Sequence, residues 1–466
     1  MRLIRFSATG VHGFLKFNIK FNDQLTFLTG INGSGKTTAL NAIVALVTPD
    51  LSALAELQYQ KIQVDLENNG RKLSITAENK DTSISLRAPR DGDPFVFSKY
   101  VLDPDVPLRR QLESEAEHYR ELTATHIDHS VLKLIASLPT PMFLGLDRRS
   151  QFDDDMRRRR HIPGRPMRTS RNVFSASLAR SLMDASNLAE DHYRDALISS
   201  GQIAEELQQE MLLNLLTVVP GGGQPSFASM SVPTKKDAKE IEALRRDLET
   251  LPQILNLPEQ EVRKRVTPFL DKLIEYMEIL PENTDISQIL QTGSSKSHVL
   301  EALAGWSFNQ VHLKRIKTIS DTVASYNRRR AEILGPTSNY LKLVNRFLND
   351  SGKSVSFNDR GIISVSIEGV DDEKPVDSLS SGEGQIFVIL THLAFNPLAQ
   401  ENNVFIIDEP ELSLHVQWQE LFVDSIISAN PNIQYVLATH SPSIILDRIE
   451  NCVDLARRKP KPSKAR

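Results

Sequence analysis

Eight residues near the amino terminus, Gly30-Ile31-Asn32-Gly33-Ser34-Gly35-Lys36-Thr37, constrain this chain more than any other feature. They stand between an apolar run at 25–28 that reads as a strand and another at 37–47 that reads as a helix. Strand, glycine-rich turn and helix in that order gather backbone N–H groups and the positive end of a helix around one point, which is a phosphate site. The glycines let the backbone wrap the anion, Lys36 neutralises the β and γ phosphates, and the Thr37 hydroxyl is placed for magnesium. The pattern predicts an α/β fold that takes ATP and Mg2+ through Asn32, Gly33, Ser34, Gly35, Lys36, Thr37 and Thr38, with Lys36 also acting in catalysis.

Three more motifs follow late in the chain. Val404-Phe405-Ile406-Ile407 is an apolar strand ending in Asp408-Glu409-Pro410. Beside a phosphate loop, Asp408 is expected to hold the metal or its water, and Glu409 to orient or deprotonate the attacking water. Leu379-Ser380-Ser381-Gly382-Glu383-Gly384-Gln385 opens an apolar helix at 386–393. Ser380, Gly382, Glu383 and the first amides of that helix would offer hydrogen bonds and a positive dipole end to a γ-phosphate. A serine-rich turn capping a helix explains the same string; its place just ahead of Asp408 favours the nucleotide. Ala438-Thr439-His440-Ser441-Pro442 follows a third strand-like run at 435–437, where a lone histidine is usually structural.

The ordered set of phosphate loop, helical middle, Leu-Ser-Ser-Gly-Glu, Asp-Glu-Pro-Glu and Thr-His-Ser-Pro resembles the soluble ABC-type ATPases related to Rad50, RecF and the overcoming-lysogenization-defect family. Ser381 and Glu383 depart from the family's Leu-Ser-Gly-Gly-Gln signature. The resemblance implies a P-loop ATPase head with a mixed sheet, an antiparallel meander and a large helical insert. It also implies a head-to-tail dimer in which Ser380 meets the nucleotide of the opposite subunit. His440 would be the switch histidine on the γ-phosphate, and Glu411-Leu412-Ser413-Leu414-His415 the loop that touches the partner, with His415 a packing or capping residue. The glutamine-loop position falls on Leu144-Gly145-Leu146-Asp147-Arg148-Arg149, where Asp147 or Arg148 would couple phosphate status to the insert; a charged turn after a strand explains that stretch equally well.

Within this group, the helical middle and the start, Phe6-Ser7-Ala8-Thr9-Gly10-Val11-His12-Gly13, resemble the ATPase subunits of the PARIS and Septu phage-defence systems. That implies an even-numbered oligomer built from dimers, which controls a separately encoded nuclease and answers to a viral trigger. Overcoming-lysogenization-defect proteins continue into a carboxy-terminal nuclease, whereas this sequence ends soon after His440, so a nuclease is expected on another chain. The competing reading is a RecF- or Rad50-like ATPase that clamps DNA; a transporter subunit fits least, because of the large insert.

The rest of the chain sets the frame. At 466 residues, 40% hydrophobic and 24% charged, it is long enough for two or three domains. The motifs divide it into 1–150 and 341–466, the two parts of one nucleotide domain, with a helical insert at 151–340 that begins as early as 108. Apolar residues at helical spacing (Ile241, Leu244, Leu248; Val262, Val266, Phe269, Leu273; Leu313, Ile316, Ile319, Val323) are bounded by Pro252, Pro258, Pro268, Pro281 and Pro336, too often for a long coiled coil. Runs between 59 and 86, separated by Asn68-Asn69-Gly70 and Asn79-Lys80-Asp81, read as an antiparallel meander. Cys452 is the sole cysteine, which excludes an internal disulfide. No run approaches the roughly 18 apolar residues of a membrane span, so a cytoplasmic protein is expected. A net charge of −4 argues against general nucleic-acid binding. Arg157-Arg158-Arg159-Arg160 with Arg165, Arg168 and Arg171 leaves nucleic acid, an acidic partner and a solvated loop all open. His126 and His129 share a helical face without a third metal ligand.

Overall fold

The computed structural model describes residues 1–88, 93–101, 105, 107–144, 178–216, 232–247, 259–280, 297–400 and 403–455. Asp147, Arg148, the arginines from 157 to 171 and the basic tail after 456 lie outside them. The chain forms two compact units, Met1–Tyr193 with Thr337–Arg466, and Arg194–Pro336.

The first unit begins with β1 (Arg2–Val11), β2 (Leu15–Lys20), β3 (Leu25–Thr29), α1 (Lys36–Val47), α2 (Leu51–Glu56), β4 (Lys61–Asn68), β5 (Arg71–Asn79), β6 (Ser83–Arg87) and β7 (Phe95–Ser98). It continues through α3 (Leu108–Thr125), α4 (Ser130–Ser137) and β8 (Met142–Leu144) into a long helix, α5 (Leu178–Leu216). α6 (Lys235–Asp247) and α7 (Glu259–Ile279) precede a second long helix, α8 (Ser297–Leu348), which returns the chain to β9 (Lys353–Phe357), β10 (Ile363–Ile367) and β11 (Val370–Lys374). Then come α9 (Ser381–Phe395), α10 (Pro397–Gln400), β12 (Val404–Asp408), α11 (Val416–Ala429), β13 (Gln434–Ala438), α12 (Pro442–Ile445) and β14 (Cys452–Asp454).

A parallel five-stranded sheet, ordered β14-β3-β13-β12-β8, lies at the centre of the first unit. Every residue of β12 and β13 is buried, which is why both read as unbroken apolar runs rather than alternating ones. Successive side chains still alternate between faces. Val404, Ile406, Val436 and Leu28 enter one core with α1 and the antiparallel sheet, while Phe405, Ile407, Leu437 and Phe27 enter a second with α9 and α11. Each such fully buried side chain contributes about 2 kcal/mol.

The six-stranded antiparallel sheet runs β2-β1-β4-β5-β6-β7, and a three-stranded one runs β11-β10-β9. Ile62, Val64 and Leu66 on β4, and Leu73, Ile75 and Ala77 on β5, are buried in alternation, the signature of a sheet with one face on the core. Asn69 and Gly70, with φ of 51° and 73°, make the two-residue turn between them, in the left-handed region that an Asn-Gly hairpin favours. The meander read at 59–86 is thus part of this sheet. His126 and His129 do not share a helical face: they cap the end of α3 and the start of α4, and both pack their rings on Phe95, at 5.6 and 5.1 Å between centroids.

The helical unit, Arg194–Pro336, has its own core of Ile241, Leu244, Leu270, Leu273, Ala302, Leu303, Trp306 and Leu313, of which Ile241, Leu244, Leu273 and Leu313 are among the residues read at helical spacing. It is narrower than the 151–340 insert read from sequence. The first turns of α5 (Leu182, Ala185, Ala189) and the last of α8 (Tyr340, Val344, Phe347) belong to the second core of the nucleotide unit. Pro268 and Pro336, expected to bound helices, lie inside α7 and α8. A proline costs a helix about 3 kcal/mol, and burial on both sides offsets it: α8 buries Trp306 before Pro336 and Phe347 after it. The two units divide at Pro336, within that continuous helix. Among the described residues, no helix is long and apolar enough to cross a membrane.

Candidate nucleotide site

Parallel strands deliver their carboxyl ends to one edge, where ligands of open α/β sheets bind. Ala438 pairs with both Asp408 and Leu28, so the chain leaves β3, β12 and β13 side by side. The phosphate loop, Asp408-Glu409 and Thr439-His440, far apart in sequence, therefore meet at that edge.

The phosphate loop joins β3 to α1. Gly35, the cap residue of α1, has φ of 90°, and a Cβ there would come within 2.7 Å of the Phe17 ring and 3.0 Å of Leu15. The loop is pressed against β2 so closely that only glycine fits. Lys36 is the first helical residue, is buried, and folds back so that its Nζ donates to Gly30 O at 3.0 Å. The Thr37 hydroxyl donates to Asp408 Oδ2 at 2.7 Å. The other oxygen, Asp408 Oδ1, is buried without a hydrogen-bond partner, as is Ser34 Oγ. Burial pushes the Asp408 carboxyl up to about 6, helped by the charges of Glu409 and Glu411 and opposed by the Thr37 bond and Lys36.

A hydroxyl and a carboxylate touching each other, with one buried carboxylate oxygen unsatisfied, suit a hard divalent cation such as Mg2+. Thr37 and Asp408 are the residues that would hold it. No group of three or more His, Cys, Asp or Glu side chains poised for a metal occurs among the described residues, so the remaining oxygens would come from phosphate and water.

Glu409 has φ of 50° and ψ of 61°, a left-handed backbone that costs a non-glycine residue roughly 1 kcal/mol. Its N–H donates to Ala438 O at 2.8 Å, which pins the turn to the end of β13. His440 follows that strand with its side chain 49% exposed. Its backbone N–H donates to Glu411 Oε1 at 2.9 Å, and its Nδ1 lies 2.9 Å from the same oxygen. Glu411 is the site residue that the motif reading assigned only to a partner-touching loop; its signal was a third acid in Asp408-Glu409-Pro410-Glu411.

The family model of the AAA ATPase domain, AAA_15, matches residues 1–445, from the first strand to beyond His440. The chain belongs to this family. Its fold is an α/β ATPase domain with a large helical region, and the AAA_15 match runs through both units. The retron Vc95 probable ATPase of Vibrio cholerae serotype O1 biovar El Tor is 38% identical over 73 residues. That match spans 16% of this chain and 14% of the relative's length. Among solved structures, the Smc head domain with an extended coiled coil bound to the C-terminal domain of ScpA, from Pyrococcus furiosus, is 13% identical with a TM-score of 0.39, covering 97% of this chain and 93% of that one. The Smc head domain with a coiled coil and joint from Pyrococcus yayanosii is 13% identical with a TM-score of 0.37, covering 97% and 94%.

Elsewhere in this AAA ATPase domain, Ser380 caps α9 and Glu383 is its third residue. The Glu383 carboxylate is enclosed: it accepts from the Ser380 N–H at 2.7 Å, the Ser351 hydroxyl at 2.7 Å and the Lys353 ammonium at 2.8 Å. Burial alone would raise its pKa, but these bonds from Lys353, Ser351 and Ser380 prevail and bring it down to about 2. In the isolated chain this carboxylate thus faces other protein groups. Its acceptor capacity is spent inside the protein, where it holds the signature turn, leaving Ser380, Gly382 and the first amides of α9 as that turn's phosphate-facing candidates. His415 stands at the cap of α11 and makes no side-chain capping bond.

Proposed function

We propose that this chain binds ATP with Mg2+ and hydrolyses it at a site completed by a second copy of itself. The Thr37–Asp408 contact at 2.7 Å, with Asp408 Oδ1 left over, carries this reading. The amides of Asn32 to Thr38 cradle the phosphates, and Lys36 turns from Gly30 to the β and γ oxygens. Thr37 and Asp408 hold the magnesium, which when bound neutralises charge developing on those oxygens. Glu409 orients the attacking water and takes its proton, and His440 contacts the γ-phosphate. Ser380, Gly382 and the start of α9 serve the nucleotide of the opposite copy. Exposed Ile31, Leu412 and Val416, on the phosphate loop and in the stretch after Glu409, supply apolar surface for that copy.

We further infer a cytoplasmic, sensor and scaffold role in bacterial phage defence, with dimers joined in a larger even-numbered oligomer that controls a separately encoded nuclease. The retron ATPase relative and the resemblance to PARIS and Septu subunits support it. The test is native mass of the tagged protein, co-expressed with its neighbouring genes in ATP and Mg2+. An even-numbered oligomer carrying a nuclease supports the defence reading; a dimer carrying DNA overturns it in favour of a RecF-like clamp.

A further inference from the structure

Glu411 does more than close a turn. Its side chain is 6% exposed, against 49% for the His440 side chain that it contacts. One oxygen, Oε1, accepts the His440 N–H at 2.9 Å and lies within ion-pair distance of Nδ1, also at 2.9 Å. The hydrogen bond holds the backbone of His440, and the close approach of Nδ1 brings its ring to the same buried oxygen. A second tie runs parallel: the Ser441 hydroxyl donates to Gln419 Oε1 at 2.6 Å, and Gln419 Nε2 donates to Leu414 O at 2.9 Å. The segment after β13 is thereby bound to the segment after β12, which carries Glu409 and whose N–H reaches Ala438 O.

We propose that Glu411 is the positioning residue of His440: its carboxylate keeps the ring proton on Nδ1 and presents Nε2 to the γ-phosphate. This rests on the ATPase reading above. A carboxylate on Nδ1 sets the tautomer of a neutral imidazole. Once Nε2 takes a proton from solvent it donates to a phosphate oxygen, and the same carboxylate balances the ring's charge, a division of labour known from other carboxylate–histidine pairs. A purely structural Glu411 would need only the backbone N–H of His440; the approach of Nδ1 to the same oxygen is what a positioning role requires.

The experiment compares ATP turnover of the full chain with Glu411→Ala, Glu411→Gln, His440→Ala, the double variant Glu411→Ala/His440→Ala and Glu409→Gln, each checked for folding by thermal melting. The imidazole nitrogens of 15N-histidine-labelled, nucleotide-free protein are followed by NMR, with His440→Ala identifying the signal. Expected are a fall in kcat of roughly 10- to 100-fold for Glu411→Ala, the range for removing a carboxylate behind a functional histidine, with KM little changed. The loss should vanish in the His440→Ala background, because the two act as a unit. His440 should show a protonated Nδ1 in the parent and in Glu411→Gln, and a shifted tautomer balance in Glu411→Ala.

Undiminished kcat in Glu411→Ala, or an equal loss with His440 absent, overturns the proposal. Should Glu411→Ala fail to fold, Glu411→Gln decides: a partial kcat loss that disappears in His440→Ala supports positioning, and full activity overturns it. Normal turnover by Glu409→Gln would remove Glu409 from the catalytic role and leave Glu411 to be judged as above; no turnover by the parent would sink the ATPase reading instead, and the nucleotide-free tautomer would then decide Glu411 by itself.

Discussion

The ammonium of Lys353 lies 2.8 Å from the carboxylate of Glu383, with side-chain exposures of 18% and 4%. This pair, with the Ser351 hydroxyl, fastens the start of α9 to the segment that ends α8. The carboxyl is held at about 2, below its ordinary 4.5. A carboxyl depressed by folding contributes stability that is present above the unfolded value and lost as pH falls through the folded one. The pair should therefore stabilise the protein by about 2 kcal/mol near neutrality and lose that contribution between about pH 5 and pH 2. Urea unfolding of the parent and Glu383→Gln across that window checks it: the gap between them should close as acid is added. Lys353→Met, which leaves the carboxylate buried without its counter-charge, should cost about 3 kcal/mol at pH 7.

Lys36→Ala should abolish nucleotide binding measured by calorimetry, because no other ammonium lies inside the loop to meet the phosphates. Glu409→Gln should keep ATP affinity, lose turnover by at least about 100-fold and accumulate the ATP-bound dimer in light-scattering runs. Retained hydrolysis would remove Glu409 from the catalytic role.

Gly35 and Gly33 separate two kinds of glycine requirement. Both have positive φ, 90° and 80°, but a Cβ at Gly33 meets open space while one at Gly35 strikes the Phe17 ring. Gly33→Ala should cost about 1 kcal/mol from backbone strain alone. Gly35→Ala should cost about 3 kcal/mol and misplace the loop, with weaker ATP binding to match. Thermal melts and ATP titrations of the two variants make the comparison.

Asp408 is a buried carboxylate with one oxygen unpartnered and its pKa pushed up to about 6 by burial first. Replacing it by asparagine removes a charge that the nucleotide-free protein must bury. Asp408→Asn should therefore melt higher than the parent without ligand, by about 1–2 kcal/mol of stability, while the extra stabilisation that Mg2+ adds to ATP disappears. Differential scanning fluorimetry with ATP, with and without Mg2+, reads both effects.

Contiguous sequence was enough to locate the phosphate loop, the acidic end of β12, the signature turn, the histidine after β13 and the meander with its Asn-Gly turn. Each depends on neighbours along the chain: a strand beside a glycine run, apolar residues at a period of two, a cap residue before a helix. The bounds of the two compact units, Met1–Tyr193 with Thr337–Arg466 and Arg194–Pro336, came from the structure. What tertiary structure decided are the pairings whose partners are remote. Thr37 reaches Asp408 across the sheet, Glu411 turns back to His440, and Lys353 pairs with the carboxylate of Glu383. No local pattern encodes these, because each follows from which strands lie side by side and which helix end abuts which loop. The same reason explains α8: Pro336 marks a break by propensity, and the helix continues because Trp306 and Phe347, on either side of it, are anchored in two different cores.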